Sequence, residues 1–419
     1  MEIIADFHIH SKYSRATSKD MELEPLDRWA RMKGIQVLGT GDFTHPLWFD
    51  NLSEKLDPAE PGLFILKDQK IERSKKTRFI LTCEISCIYT KGGKVRKIHI
   101  VVFAPSLEDV AKINKELGAI GNIRSDGRPI LGLDAKKLAE IILNAAPDAF
   151  IVPAHIYTPW FSLFGSRSGF NSIEECFEEY SKYIYAGETG LSSDPAMSWA
   201  NSGLDNIALI SSSDAHSPAK LGREATVFDT EMNYKSLVEA IKAKDPKRFL
   251  YTIEFYPEEG KYHYDGHRSC DVSLSPRESK KYNNLCPVCG KPLTIGVLNR
   301  AEELADREKG FKSEGRIPFK SLVPLQEIIA GSFGVGTASK KVGSAYDQMI
   351  REFGSEFDIL LKREVGEMAK SVPSRIAEGI SRVRSGQLNI KPGYDGVFGK
   401  IDIFSEEKNN KIIRQETLF

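Results

Sequence analysis

Short apolar runs that end in a polar, metal-capable residue recur along roughly the first 250 positions, with helical periodicity between them. Ile3-Ile4-Ala5-Asp6-Phe7 predicts a buried strand ending at His8 and His10, which lie two apart and so share one face. Ile35 to Leu38 runs into Asp42, with His45 three positions on, and Arg78 to Cys83 leads to Glu84. Lys97 to Val102 holds His99 inside a β-branched strand, and Ala149 to Ala154 ends at His155. Tyr183 to Gly187 ends at Glu188, and Ile207 to Ser211 opens into Asp214 and His216.

The intervening stretches predict helices. Glu24 to Lys33 carries Leu26, Trp29, Ala30 and Met32 before Gly34, a stop signal. Asp134 caps Ala135 to Ala145, Ser172 caps Ile173 to Tyr180, and Asn233 caps Tyr234 to Lys242. Strand alternating with helix predicts parallel strands and a closed α/β barrel, whose loops after the strands gather at one mouth. The scattered His, Asp and Glu residues would converge there.

Composition narrows the class. The 419 residues are 41% hydrophobic with 58 basic and 58 acidic side chains, which predicts a two- or three-domain protein and neither favours nor excludes nucleic acid. Residues 1–260 hold 32 Lys and Arg against 37 Asp and Glu, and residues 261–419 hold 26 against 21, a small basic excess in the second part. With strand pattern from the start, no signal-peptide pattern and no membrane-length apolar run, a cytoplasmic protein is expected, nucleoid-associated at most. Cys83, Cys87 and Cys176 are singletons, as in a reduced compartment.

A second kind of metal motif follows. His267-Arg-Ser-Cys270 and Cys286-Pro-Val-Cys289 are two ligand pairs, each with two residues between, and Gly290 suits the turn of a zinc knuckle. They predict one structural Zn in a Cys3His site, with His263 a competitor for the fourth position. A closed site leaves no open coordination position, so its work is folding and substrate docking.

Beyond it, Pro324 to Ile329 starts a helix, and Gly331 to Lys341 forms a Gly-rich turn into a basic helix start. Gly334, Gly336 and Ser339 with Lys340 and Lys341 suit phosphate contact. Lys391 to Lys400 is a turn-rich, basic and aromatic segment suited to a nucleic-acid strand. The tail, Arg414 to Phe419, starts like a sliding-clamp-binding peptide, with Gln415 followed by Leu418 but without the usual aromatic pair.

Taken together, FHIHSKYS, Glu84, His99, His155 and SSDAHS resemble the motifs of the polymerase and histidinol phosphatase (PHP) family of phosphoesterases, over residues 1–250. The whole chain, with ribbon and helical tail, resembles the archaeal endonuclease Q family. The resemblance implies a distorted (β/α)7 barrel (1–250), a zinc-ribbon domain (251–298), a mainly helical DNA-binding domain (299–410) and a tail (411–419). It implies two or three divalent ions, Zn, Mn or Mg, at the mouth. His8, His10, Glu84 and Asp214 match one ion's ligands and the catalytic set, Glu84 bridges to a second ion held by His99 and His155, and His216 matches a third site. There the chain departs from the pattern, with Arg15, Ala16 and Phe43 at usual ligand positions and Asp42 or His45 as substitutes.

The implied activity is hydrolysis of DNA 5′ to a deaminated base (hypoxanthine, uracil, xanthine) or abasic site. Paired cations suit it because one lowers the pKa of a water while both share charge growing on the phosphate. The aromatic stretch after His155, with Tyr157, Trp160 and Phe161, suits either stacking on an extruded base or a lid packed on its own core. Glu188 and Asp194 suit metal, base or helix cap. The rival readings are a phosphatase of a small phosphomonoester, which leaves ribbon and tail unexplained, and a non-catalytic scaffold, which leaves the ligand set unexplained.

Overall fold

The computed structural model describes residues 2–67, 71–72, 76–308, 310–311 and 315–404. Nine strands build the frame of the site: β1 (Glu2–Asp6), β2 (Val37–Gly39), β3 (Arg78–Lys91), β4 (Lys94–Ala104), β5 (Phe150–Pro153), β6 (Ala186–Glu188), β7 (Ala208–Ile210), β8 (Ala225–Asp229) and β9 (Phe249–Glu254). β1, β2 and β3 pair in parallel, as do β6 and β7. The all-parallel expectation is corrected elsewhere: β1 with β8, β8 with β9, β3 with β4 and β4 with β5 are antiparallel.

The correction has a local cause. β3 and β4 are joined by Gly92-Gly93, both at left-handed φ, a two-residue turn that returns the chain directly and leaves no room for a crossover helix. Around the barrel, the gap between β5 and β6 is spanned by Ile156 N–H donating to the Glu188 carbonyl at 2.9 Å. The gap between β7 and β8 is spanned through the Thr226 hydroxyl, which accepts from Ser211 N–H and donates to the Ser211 carbonyl. The sheet is thus mixed and the ring distorted.

Helices α1 (Leu23–Lys33), α2 (Pro46–Lys55), α3 (Leu107–Ile120), α4 (Ala135–Ala145), α5 (Ile173–Phe177) and α6 (Tyr234–Ala243) accompany these strands. Asp134, Ser172 and Asn233 accept the expected cap bonds from Lys136, Glu175 and Ser236 N–H. α5 is shorter than predicted, because Glu178 takes φ +48° and the chain continues as a 3-10 turn to Tyr183, which delays β6 to Ala186. The barrel interior is filled by Ile3, Ala5, Phe7, Val37, Ile80, Val101, Val152 and Ile210, all nearly inaccessible.

After β9 come the ribbon hairpin (Asp265–His267 against Val272–Leu274) and helices α7 (Val297–Leu304), α8 (Leu325–Phe333), α9 (Lys340–Phe353) and α10 (Ser374–Arg384). The helical part is tied to the barrel by Lys33, whose ammonium lies 2.7 Å from Glu356, itself hydrogen-bonded by the Tyr346 hydroxyl and Leu325 N–H. Among the described residues no helix is long and apolar enough to cross a membrane.

Candidate metal centre

The strand ends deliver their polar residues to one mouth. His8 and His10 follow β1, His155 follows β5, Glu188 ends β6, and Asp214 and His216 follow β7, where Ile9 bridges to Ala215. Glu84 and His99 instead lie within β3 and β4. His99 stands opposite Ser86 across the antiparallel ladder, two residues from Glu84, so both side chains leave the same face. Asp42, His155 and Asp214 adopt left-handed backbone conformations, φ +50°, +30° and +46°, of the kind that persists where surrounding structure holds a functional site.

Glu84 is the centre. Its Oε1 lies 2.7 Å from His99 Nδ1 and 3.1 Å from His155 Nε2, and its Oε2 lies 3.4 Å from His10 Nε2 and 3.7 Å from His8 Nε2. Asp214 Oδ1 lies 3.1 Å from His10 Nε2. Three interlocking donor groups result: His8, His10 and Glu84; Glu84, His99 and His155; and His10, Asp214 and His216, each with donor atoms within 4.8 Å of one another.

The far nitrogens of the imidazoles are held as metal ligands require. Glu188 lies 2.9 Å from His8 Nδ1 and also accepts from His155 N–H. Asp42 lies 3.1 Å from His10 Nδ1 and is further bound by Ser11 N–H and the Ser11 and Ser14 hydroxyls. The Thr158 hydroxyl meets His155 Nδ1 at 3.1 Å. These partners turn Nε2 of each ring toward the centre. His8 Nε2 is buried with no hydrogen-bond partner, and such an inward orphan beside a carboxylate suits a divalent cation.

Electrostatics hold Glu84 and His99 in their metal-binding forms. Burial disfavours the charged carboxylate of Glu84, yet His99, Arg128 and His8 hold its pKa well below the ordinary range. Burial pushes His99 down to about 4, so it is a neutral imidazole at neutral pH. For His8, burial opposes charge, but Glu188, Glu84 and Asp214 raise its pKa well above normal. The carboxylates that would attract a cation thus hold a proton on His8 in its absence.

Several candidates take other tasks. Asp42 spends its carboxylate on His10, Ser11 and Ser14 and stands outside the donor groups. His45 precedes α2, stacks on Tyr13 at 4.3 Å and meets the Arg124 carbonyl through Nε2, outside the donor groups. Glu188 hydrogen-bonds His8 Nδ1 and stands outside the donor groups. Asp194 caps a short helix through Met197 N–H and is half-buried. Tyr157 is wholly buried against Phe164, so it stacks on no base.

Trp160 and Phe161 stay half-exposed. Trp160 meets Tyr262 edge-on, and Phe161, at φ +61°, covers His99 at 4.7 Å. Sequence reasoning missed Arg128, which donates to Glu84 Oε2 at 2.9 Å. Its signal was faint, one of two arginines in the loop between α3 and α4.

In the ribbon, His267, Cys270, Cys286 and Cys289 form one donor group, with Cys289 Sγ 3.4 Å from His267 Nδ1. His263 lies elsewhere, buried with Nδ1 on the Ser192 carbonyl. At Cys286 the N–H groups of Cys289 and Val288 outweigh burial and bring the thiol down to about 6. Burial and the neighbouring thiols push Cys270 up to about 11, a crowding that a shared cation relieves. In the helical part, Gly334 ends α8 and Ser339 caps α9 through Lys341 N–H, on an exposed turn remote from the donor groups. The Lys391–Lys400 segment is fixed to the ribbon: Tyr394 bonds Asp271, Asp395 accepts from Arg268 N–H, and the Gly393 carbonyl accepts from Tyr264 N–H. The tail, 411–419, lies outside the described residues.

Comparison with known proteins places this geometry. Residues 196–246 match the family profile described as PHP-associated, and residues 324–387 match that of the MJ0043 C-terminal domain. Uncharacterized protein MJ0043 of Methanocaldococcus jannaschii is 34% identical over 253 residues, 58% of this chain; the match spans only 31% of that protein. Uncharacterized protein YqxK of Bacillus subtilis is 30% identical over 420 residues, 96% of this chain and 99% of that one. The crystal structure of the lesion-specific endonuclease PfuEndoQ from Pyrococcus furiosus superposes with a TM-score of 0.83 at 32% identity, over 96% of this chain and 95% of that one. An Endonuclease Q complex with a 27-mer duplex carrying an abasic lesion gives 0.84 at 32% identity, over 96% of each chain. With 32% identity over nearly the whole of both chains, this protein belongs to the endonuclease Q family of PHP-type phosphoesterases.

Proposed function

We infer that this protein is a metal-dependent DNA repair endonuclease that hydrolyses the phosphodiester bond 5′ to a deaminated base or abasic site. The carrying observation is Glu84, whose two oxygens face two separate imidazole pairs at a mouth shared, along nearly the whole chain, with an endonuclease Q seen on abasic duplex DNA. His8, His10, Glu84 and Asp214 would hold one divalent ion and Glu84, His99 and His155 a second, which would supply Lewis-acid charge and lower the pKa of a water. His216 would join His10 and Asp214 on a third ion. Imidazole and carboxylate donors suit Zn or Mn, and Mg less well.

The chain's own groups do the remaining work. Glu188, Asp42 and Thr158 hold the rings so that no reorganisation is needed when charge develops on the phosphate. Trp160, half-exposed beside the mouth, offers a face on which an extruded base or its vacated neighbour can stack. The exposed Gly334–Lys341 turn would touch backbone phosphates, and the ribbon would hold structural zinc. The tail would engage a sliding clamp; a pull-down with and without residues 414–419 tests this, equal capture removing the idea.

The deciding experiment uses end-labelled duplexes bearing inosine, uracil or an abasic site. A metal-loaded wild type should nick 5′ to the lesion, and Glu84→Ala and Asp214→Ala should abolish nicking. Turnover retained by either variant, or turnover of a phosphomonoester with DNA left intact, overturns the assignment.

A further inference from the structure

The guanidinium of Arg128 stands beside the donor groups without being able to bind a cation. It lies 2.9 Å from Glu84 Oε2, the oxygen that faces His8 and His10, and its side chain is 26% exposed while Glu84 is closed off. It therefore looks both into the centre and out to solvent.

Its loop is pinned on all sides. Arg128 N–H donates to Asp126 Oδ1, and Asp126 Oδ2 pairs with Arg15 at 3.0 Å. Gly127 N–H donates to the Tyr13 carbonyl, the Gly127 carbonyl accepts from the Thr44 hydroxyl, and the Pro129 carbonyl accepts from Ser86 N–H. At Gly127 the backbone comes so near that a Cβ would lie 2.2 Å from Asp42 Oδ2 and 2.5 Å from Ser14 Oγ. A side chain carried by so fixed a backbone is placed, not incidental.

The charge balance says for what. Two divalent cations would be about balanced by the four carboxylates of the centre, Glu84 and Asp214 among the donors and Asp42 and Glu188 behind His10 and His8, and Arg128 then adds an uncompensated positive charge close by. A guanidinium beside cations is favourable only when an anion joins them. We propose that Arg128 is a catalytic residue that binds a non-bridging oxygen of the scissile phosphate across from the metal centre, its contact with Glu84 being the resting position. The planar fork suits two phosphate oxygens, or one phosphate and one carboxylate oxygen. During hydrolysis the phosphorus gains the water's oxygen and loses the ester oxygen, and charge on the non-bridging oxygens rises between. Arg128 stabilises that charge and transfers no proton.

The inference rests on the endonuclease reading only through its incision arm. In the first arm, manganese-loaded full-length protein is titrated with inorganic phosphate and followed by phosphorus NMR line broadening. Wild type should bind, Arg128→Gln about 10–100-fold more weakly, and Arg128→Lys between them, all with equal bound manganese and closely similar melting temperatures. In the second arm, Arg128→Gln should lower kcat for lesion DNA about 10–1,000-fold with little change in KM, because most backbone contacts lie outside the mouth. Equal phosphate affinity in wild type and Arg128→Gln overturns the proposal. Loss of manganese from the variant also overturns it, since Arg128 would then only hold Glu84. Arginine-dependent phosphate binding in a protein that never nicks lesion DNA sinks the endonuclease reading and leaves the phosphate site standing.

Discussion

A single carboxylate shows how this centre is built. Glu188 neither faces the open mouth nor joins the donor groups, yet it grips His8 Nδ1 and His155 N–H at once and so sets one ring and one backbone turn. Glu188→Gln keeps the shape but weakens that grip, so metal affinity at the mouth should fall about 10–100-fold with the fold intact. Competitive titration against a chelating dye measures this, and unchanged affinity would show the contact to be idle. The sequence made His8, His10, Glu84, His99, His155, Asp214 and His216 legible because each carries a ligand-type side chain at a strand end or within a strand. It left Glu188 and Asp42 ambiguous and did not single out Arg128. An acid that orients a ligand and an acid that is a ligand look alike until distances of a few ångströms separate them.

At the scale of elements, the aromatic segment after β5 depends on its neighbours. Arg300, on α7 and only 7% exposed, donates to the Phe164 carbonyl, the Phe170 carbonyl and Asn171 Oδ1. Ser166 and Arg167 donate to the carbonyls of Ile295 and Leu293 in the ribbon. Arg300→Met would leave buried carbonyls unpaired and should cost about 3 kcal/mol of stability, read by urea unfolding. The loop between α3 and α4 makes a matching prediction. Gly127→Ala drives a methyl into a carboxylate already held by four hydrogen bonds, so about 1–3 kcal/mol should be lost together with some affinity for metal. Calorimetry of the two variants checks both, and a neutral Gly127→Ala would mean that Asp42 moves freely. Helices and their caps were readable from Asp134, Ser172 and Asn233, because capping is decided within one turn. The antiparallel course of β4 was not anticipated from the alternation of strand and helix, although Gly92-Gly93 carried the hairpin signal.

Across the whole molecule, buried acids tie stability to pH. Glu254, on β9 behind the mouth, is pushed up to about 8 by burial, against the opposing bonds from Ser211, Thr252 and Thr189. An unfolded glutamate titrates near about 4.3, so between that value and about 8 the folded protein holds an extra proton. Its contribution to stability is full below the lower value and is lost as pH rises through the upper one. Melting temperature should therefore fall from pH 5 to 8 more steeply in wild type than in Glu254→Gln, and parallel curves would refute the linkage. Chelation should act at a second place. The ribbon's apolar cluster is only Val272, Cys286 and Leu293 with Cys270 and Leu274 against it, too little to fold alone, so stripping zinc should melt it first. Hydrogen exchange should then rise at 265–295 and in the bound loop 157–170, and protection that survives chelation would show that the metal is dispensable there. The sequence by itself determined most of the strands and helices, where the Cys and His pairs of the ribbon lie and which side chains can ligate metal, because periodicity, capping and ligand spacing act within a few residues. Only the tertiary structure decided how the strands close into a ring, the split of Glu84 between two imidazole pairs and the station of Arg128 beside it. Those are juxtapositions of residues tens to hundreds of positions apart, and they are set by how the whole barrel closes.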